Sequence, residues 1–249
     1  MTYERLAYVY DFLMMDVPYS NWLDYLKNEK KRYSIEGDRI LDLACGTGEL
    51  SVLLAEAGFD VTGVDISDDM LMVAKEKAER KGLKIQLYQQ DMTLLEELGT
   101  FDIISIFCDS LNYLHTPDDV KKTFNHVYSH LSDDGLFLFD IHSPNKIQQF
   151  MKETYSLADE DVSYIWTSFP GEYPLSVEHE LTFFVFDEDS GKYDRFDEIH
   201  KQRTYTINQY INWLTETGFS IKSVTADFTE EAPAETSERV FFACQKYNA

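Results

Sequence analysis

The segment Ile40-Leu-Asp-Leu-Ala-Cys-Gly-Thr-Gly-Glu-Leu-Ser51 constrains the chain more than any other. An apolar run that ends in a glycine turn and continues into a helical pattern reads as strand, turn and helix. Glycines 46 and 48 lack a Cβ, so the backbone there can turn tightly and let a ligand approach closely. A helix starting near Glu49 points its unpaired N–H groups at that ligand. Asp65 closes the next apolar run, Val61-Thr-Gly-Val-Asp65. A carboxylate at a second strand tip is placed to accept hydrogen bonds from a ribose. These features together describe a nucleoside-binding site.

Two cofactor classes carry such a nucleoside. A dinucleotide site uses G-x-G-x-x-G, whose third glycine packs helix against strand. This chain reads Gly46-x-Gly48-x-x-Ser51, without the third glycine. The frame Asp42-x-Ala44-x-Gly46-x-Gly48 instead resembles the signature of class I S-adenosylmethionine-dependent methyltransferases. That resemblance implies a Rossmann-like α/β fold whose glycine turn, with Asp42 and Ala44, passes the methionine part of S-adenosylmethionine. It implies that Asp65, followed by Ile66, holds the ribose hydroxyls. Asp91 and Met92, in Tyr88-Gln-Gln-Asp-Met92, would meet the adenine.

The leading segment, Leu6-Ala-Tyr8-Val-Tyr10-Asp11 through Val17-Pro-Tyr19-Ser-Asn-Trp22, is similar to that of small-molecule members such as glycine N-methyltransferase and the amino-sugar N-methyltransferases. By that likeness Tyr10 and Tyr19 stand at the methyl-transfer end of the site, Tyr10 also against the cofactor. An aromatic face beside a cationic sulfonium is physically sound. For Tyr8 and Trp22 simple packing of helices on the sheet is the preferred reading. Cys108 is expected to be a wall of the cofactor pocket, with no role as a thiol nucleophile. Asn112 and Tyr113 fall where the small-molecule family contacts cofactor or substrate. His142 falls where glycine N-methyltransferase has a carboxylate-binding arginine, so it is a candidate for both catalysis and acceptor contact.

Periodicity and punctuation supply the architecture. Strands are expected at Arg39–Leu43, Asp60–Asp65, Lys84–Gln89, Phe101–Phe107 and Leu136–Ile141. The helices between them stop at Gly58 and Gly82 or start at Thr116-Pro117. Such alternation implies a parallel sheet covered on both faces. After Pro144 the pattern turns to β, with strands at Val162–Phe169, Ser176–Phe186 and Lys192–Tyr205 separated by turn signals. Thr206-Ile-Asn-Gln209 forms a capping box. It starts a helix that Gly218 stops, and strands Phe219–Phe228 and Glu238–Gln245 follow. The expected domains are residues 1–144 (leading helices and cofactor-binding core), 145–205 (an antiparallel β insertion acting as substrate lid) and 206–249 (completion of the core, with a terminal antiparallel hairpin). Core strand tips at the Gly46 turn, Asp65, Asp91, Asp109 and His142 would share one edge, where open α/β sheets bind ligands.

Composition narrows the partners. The net charge of −23 over 249 residues repels phosphate backbones, so nucleic acid is a disfavoured partner and a small molecule the expected one. The basic clusters at Lys27–Arg32 and Lys75–Lys81 are interrupted by Glu29, Glu76 and Glu79, as on a solvated helix face. Apolar runs are strand-length, too short for a bilayer, and the start lacks the features of a signal peptide. Three scattered cysteines, Cys45, Cys108 and Cys244, give neither metal-ligand spacing nor a disulfide framework, so no metal and a cytoplasmic location are expected. Between Glu153 and Glu198 stand thirteen acids, two basic residues and ten aromatics. This suits an amine-bearing acceptor, while strand alternation also accounts for it as core and solvated face. Methylation of tRNA or protein, and a non-catalytic cofactor-binding regulator, are the alternatives. A nicotinamide dehydrogenase is disfavoured by Ser51. Oligomeric state and the acceptor atom are not legible.

Overall fold

A computed structural model describes residues 10–247, so Leu6, Tyr8 and Val9 of the leading segment lie outside the described residues. Residues 10–13 are helical. The core then runs α1 (Tyr19–Arg32), β1 (Arg39–Leu43), α2 (Glu49–Glu56), β2 (Asp60–Asp65), α3 (Asp68–Arg80), β3 (Gln86–Gln89) and β4 (Phe101–Ile106). A 3-10 turn (Ser110–Tyr113), α4 (Pro117–His130), β5 (Leu131–His142) and α5 (Pro144–Phe150) follow. The insertion comprises β6 (Tyr155–Leu157), β7 (Val162–Pro170), β8 (Ser176–Asp187) and β9 (Lys192–Arg203). The chain closes with α6 (Ile207–Thr217), β10 (Phe219–Ala226) and β11 (Arg239–Lys246).

One sheet has the order β10-β11-β5-β4-β1-β2-β3. Strands β1 to β5 pair in parallel, and β11 joins β5 antiparallel with β10 outside it. This is the expected Rossmann-like sheet with a terminal antiparallel hairpin. Alternation sends successive side chains of the buried strands to opposite cores. Ile104, Phe137 and Phe139 pack with Phe124 of α4 and Tyr210 of α6. Ile103, Leu136 and Leu138 pack with Trp22 and Leu26 of α1 and Leu50 and Leu54 of α2. The insertion forms a separate antiparallel sheet, β6-β7-β8-β9.

The helix signals act through identifiable hydrogen bonds. Thr116 Oγ1 accepts from Asp119 N ahead of Pro117, and Thr206 and Gln209 form the reciprocal capping box. Strand ends shift by one or two residues at several places, and three elements depart further from the sequence expectation. Strand β5 starts at Leu131 rather than Leu136, because Ser132-Asp133-Asp134-Gly135 continues in extended backbone despite its turn-like composition. Helix α5 was not anticipated, although Ser143 caps it and Pro144 opens it. Strand β6 lacks any periodicity of its own and exists by pairing with β7.

Candidate active site

Strand order reverses at β1, which lies between β2 and β4. At such a switch point the loops leave the sheet in opposite directions and open a crevice beyond the strand tips. Here the crevice is lined from β1 and its turn by Asp42, Ala44, Cys45, Gly46, Thr47, Glu49 and Leu50. Phe107, Cys108 and Ser110 line it from the end of β4, and Tyr10 and Tyr19 from the leading segment. Positive φ at Ala44, Cys108 and Asp109 marks backbone strain at both tips, a cost that functional sites carry.

The two glycines do different work. A Cβ on Gly46 (φ +54) would meet nothing within 4 Å, so the backbone there faces open space. A Cβ on Gly48 (φ +76) would lie 2.7 Å from that of Ala74 in α3, so Gly48 lets helices α2 and α3 pack. Ser51, where a dinucleotide site has its third glycine, is fully buried and donates to Asp42 Oδ2 at 2.5 Å. Ser105 Oγ lies 3.4 Å from Asp42 Oδ1. Burial pushes the Asp42 carboxyl up to about 6 against these two hydroxyls, which favour its charge. Asp42 therefore ties β1 to α2 and β4 beneath the turn.

Asp65 accepts from Gly46 N at 2.8 Å and from Ser67 N at 2.9 Å. Burial raises its carboxyl, opposed by these backbone donors. The same carboxylate thus holds the glycine turn against the second strand tip. Ile66 beside it is 66% exposed. Asp91 Oδ1 accepts from Thr93 N and Thr93 Oγ1, each at 2.8 Å. Met92 packs partly buried against the core. Asp65, Ile66, Asp91 and Met92 do not line the crevice itself but extend from its β1 side along the tips of β2 and β3.

The leading segment is pinned over the turn. Asp11 accepts from Thr47 Oγ1 at 2.5 Å and pairs with Lys77 at 2.6 Å, and Lys77 also pairs with Glu49 at 2.7 Å. Tyr10 is thereby placed beside Tyr113, Tyr19, Cys108 and Asp109, and burial drives its phenol well above the ordinary value. Burial does the same to Tyr19. Both stay neutral phenols. Burial likewise raises the Cys45 and Cys108 thiols, which makes them poor nucleophiles.

Beyond Cys108 lies a charged cluster of which sequence reading named only Asp109 and His142. Asp140, fully buried on β5, accepts from Trp22 Nε1 (2.8 Å), Cys108 N (2.9 Å) and Asp109 N (3.1 Å), and from Arg239 of β11. Arg239 also donates to Asp109 Oδ1 at 2.9 Å. Asp109 Oδ2 accepts from Gln202 of β9 at 2.8 Å and faces His142 Nε2 at 3.2 Å. Burial opposes the charge on Asp109, but His142 and Arg239 outweigh it and hold the carboxyl far below the usual range. These partners are separated by 31 to 130 residues, so no local signal announces them.

His142 is buried against Asp109 and Phe150 and lies outside the crevice lining. Asn112, expected to contact ligand, is fully buried with its amide committed at both ends. It donates to Arg203 O at 2.9 Å and accepts from His142 N at 2.9 Å. It braces the 3-10 turn, β5 and β9. Tyr113 is 44% exposed, its hydroxyl 3.1 Å from His200 Nδ1 of β9. Trp22 packs as expected, edge-on to Phe228. The structure thus gathers Tyr10, Tyr19, Asp42, Ala44, Gly46 and Cys108 at one crevice. It sets His142 and Tyr113 beside Asp109, under the inserted sheet.

Residues 40–135 match the methyltransferase domain family. Over 248 residues the chain is 52% identical to a protein of Geobacillus sp. (strain WCH70) that bears the name "Putative methyltransferase", covering 99% of this chain and all of that one. A crystal structure of an S-adenosylmethionine-dependent methyltransferase from Clostridium acetobutylicum ATCC 824 superposes with a TM-score of 0.88 at 31% identity, over 99% of each chain. The chain belongs to the class I S-adenosylmethionine-dependent methyltransferases. This methyltransferase is also 29% identical over 209 residues to a glycine/sarcosine N-methyltransferase of Halorhodospira halochloris, covering 82% of this chain and 72% of that protein. The open face of Gly46, the carboxylate at the second strand tip and the neutral phenols above the turn fit the adenosyl sulfonium that the family uses. Among the described residues no helix is long and apolar enough to cross a membrane.

Proposed function

We propose that this methyltransferase transfers the methyl group of S-adenosylmethionine to the nitrogen of a small amine. The observation that carries the reading is that the crevice adjoins the buried Asp109 cluster. The crevice at the strand reversal meets the Asp109 cluster through Tyr10, and the inserted sheet covers that cluster through Gln202 and His200. In this reading the Ala44–Gly48 turn seats the methionine part and Tyr10 closes over it. Asp65 takes the ribose hydroxyls, with Ile66 along the sugar and Asp91 and Met92 at the adenine. Cys108 walls the adenosyl pocket, and Asp42 holds the turn from below. Tyr113 and His142 face the acceptor.

The cofactor supplies an electrophilic methyl on a sulfonium. The protein's task is alignment and exclusion of water, since an amine attacks in line without a covalent enzyme intermediate. Tyr10 and Tyr19, kept neutral by burial, can turn ring faces or phenol oxygens toward the positive sulfur. The glycine/sarcosine N-methyltransferase relative supports nitrogen as acceptor. The net charge of −23 supports a small molecule over nucleic acid, and three free cysteines suit a reducing cytoplasm.

The test is transfer of labelled methyl from S-adenosylmethionine to panels of small amines, small alcohols, tRNA and protein. Label in the amine fraction is expected. Label confined to RNA, protein or alcohols, or no turnover beside tight cofactor binding, would overturn the reading.

A further inference from the structure

The region where the inserted sheet meets the Asp109 cluster contains polar groups without a partner in the protein. Alternation along β9 puts Phe196, Glu198, His200 and Gln202 on one face. Their cross-strand partners on β8 are Phe183, Leu181, His179 and Val177. This face looks toward the core at both ends. Gln202 donates to Asp109 and His200 meets Tyr113, while Phe196 packs in the cluster that contains Phe12 and Leu13 of the leading segment. Glu198 lies between these contacts along β9, half-buried. Among the described residues no cation or hydrogen-bond donor reaches its carboxylate, and burial alone raises its pKa. Other acids around the site are compensated: Asp109 by Arg239 and His142, Asp11 and Glu49 by Lys77.

Two buried imidazole nitrogens beside these contacts also lack partners, His142 Nδ1 and His179 Nε2. Their proton positions follow from their other nitrogens. Trp166 Nε1, which can only donate, donates to His179 Nδ1 at 3.0 Å, so the His179 proton sits on Nε2. The Asp109 carboxylate faces His142 Nε2, so that nitrogen carries a proton. Both rings meet Phe150 edge-on, at 5.2 and 4.8 Å. Across the β8–β9 ladder Glu198 is the diagonal neighbour of His179, a separation of roughly 7–8 Å. Unsatisfied buried polar groups are costly and call for an explanation. Here one carboxylate and two unpartnered imidazole nitrogens lie on neighbouring elements.

We propose that Glu198 is the specificity-determining residue for the acceptor. It binds the acceptor's amine as the ammonium ion and takes one of its protons, which frees the nitrogen lone pair to attack the methyl as S-adenosylhomocysteine leaves, while His142 Nδ1 and His179 Nε2 receive an uncharged polar part of the same molecule. The proposal rests on the amine reading above and names the residue that selects charge.

The experiment uses the full chain saturated with S-adenosylhomocysteine, comparing wild type with Glu198→Gln and Glu198→Asp. The probes are primary alkylammonium ions from methylammonium to cyclohexylammonium and the matching alcohols, read by calorimetry and thermal shift. Wild type is expected to bind at least one ammonium about tenfold or more tightly than its alcohol, the scale of a charge-assisted hydrogen bond. Glu198→Gln should lose that preference and Glu198→Asp retain part of it. Both variants should bind S-adenosylhomocysteine as wild type does, and Glu198→Gln should melt no lower. A charge preference that survives in Glu198→Gln, no preference in wild type, or a Glu198→Gln melting point several degrees lower would each overturn the proposal. Failure of wild type to bind S-adenosylhomocysteine would instead strike the functional reading on which it stands.

Discussion

Arg239→Met is the most revealing perturbation of the site. The Arg239 guanidinium serves two carboxylates at once and lies 5.0 Å over the Trp22 ring. Without it Asp140, fully buried, keeps only the Trp22 indole and the N–H groups of Cys108 and Asp109. Asp109 keeps Gln202 and His142. Removing one partner of a buried ion pair strands the other charge and costs about 3–5 kcal/mol, a large share of the roughly 5–15 kcal/mol that stabilises a typical domain. The cost should depend on pH. In wild type Asp109 titrates far below the unfolded value, so its contribution is present above about pH 4 and is lost as pH falls through the lower folded pKa. In the variant protonation relieves the stranded carboxylates, so stability recovers as pH falls. Urea unfolding from pH 8 to pH 5 should therefore show a deficit of about 3–5 kcal/mol that narrows on acidification. Arg239→Met/Asp140→Asn should recover part of it. A deficit under about 1 kcal/mol, below the buried-pair range, or one flat with pH, would refute the assigned role.

Three further outcomes follow from the geometry. The Asp42 carboxyl, raised to about 6, binds a proton in the folded state between about pH 4 and 6 that the unfolded chain has lost, so this group makes stability fall as pH rises through that window. Asp42→Asn should flatten that slope and gain up to about 3 kcal/mol above pH 7; an unchanged slope in urea melts counts against it. His179, lowered to about 4 by burial, should remain neutral with its proton on Nε2 at pH 5 by nitrogen-15 NMR, and its contribution to stability should be lost as pH falls from about 6.5 toward 4. An imidazolium at pH 6 would contradict the assigned tautomer. Gly48→Ala should destabilise the fold by about 1–3 kcal/mol, the cost of overpacking and strained φ, because the new Cβ meets Ala74 at 2.7 Å; wild-type melting would refute this.

The sheet was legible because its signals are local. Apolar runs end at Gly46, Asp65 and Asp91, and Thr116-Pro117 and the Thr206–Gln209 box fix helix starts within four residues. Ser51 shows how a departure from pattern can be resolved. It excluded a third glycine in the sequence, and in the fold its hydroxyl holds Asp42. What escaped reading depends on distance along the chain. Arg239 meets Asp109 across 130 residues, and Gln202 meets it across 93. Neither arginine nor glutamine carries a sequence mark for such a role. Asn112 was placed in the right region, but its two amide contacts to backbone, with Arg203 and His142, are set by tertiary structure alone. The thirteen acids of the insertion could not be sorted by composition; only the β8–β9 register turns Glu198 inward.

Calorimetric titration of S-adenosylhomocysteine into wild type and Asp65→Ala is the most direct measurement of where the adenosyl group sits. Asp65 is expected to grip the ribose, so the variant should bind about 1–3 kcal/mol more weakly while remaining folded, the scale of hydrogen bonds to a charged group. Equal affinity in a folded Asp65→Ala protein would place the nucleoside elsewhere and remove the basis for every assignment along the strand tips.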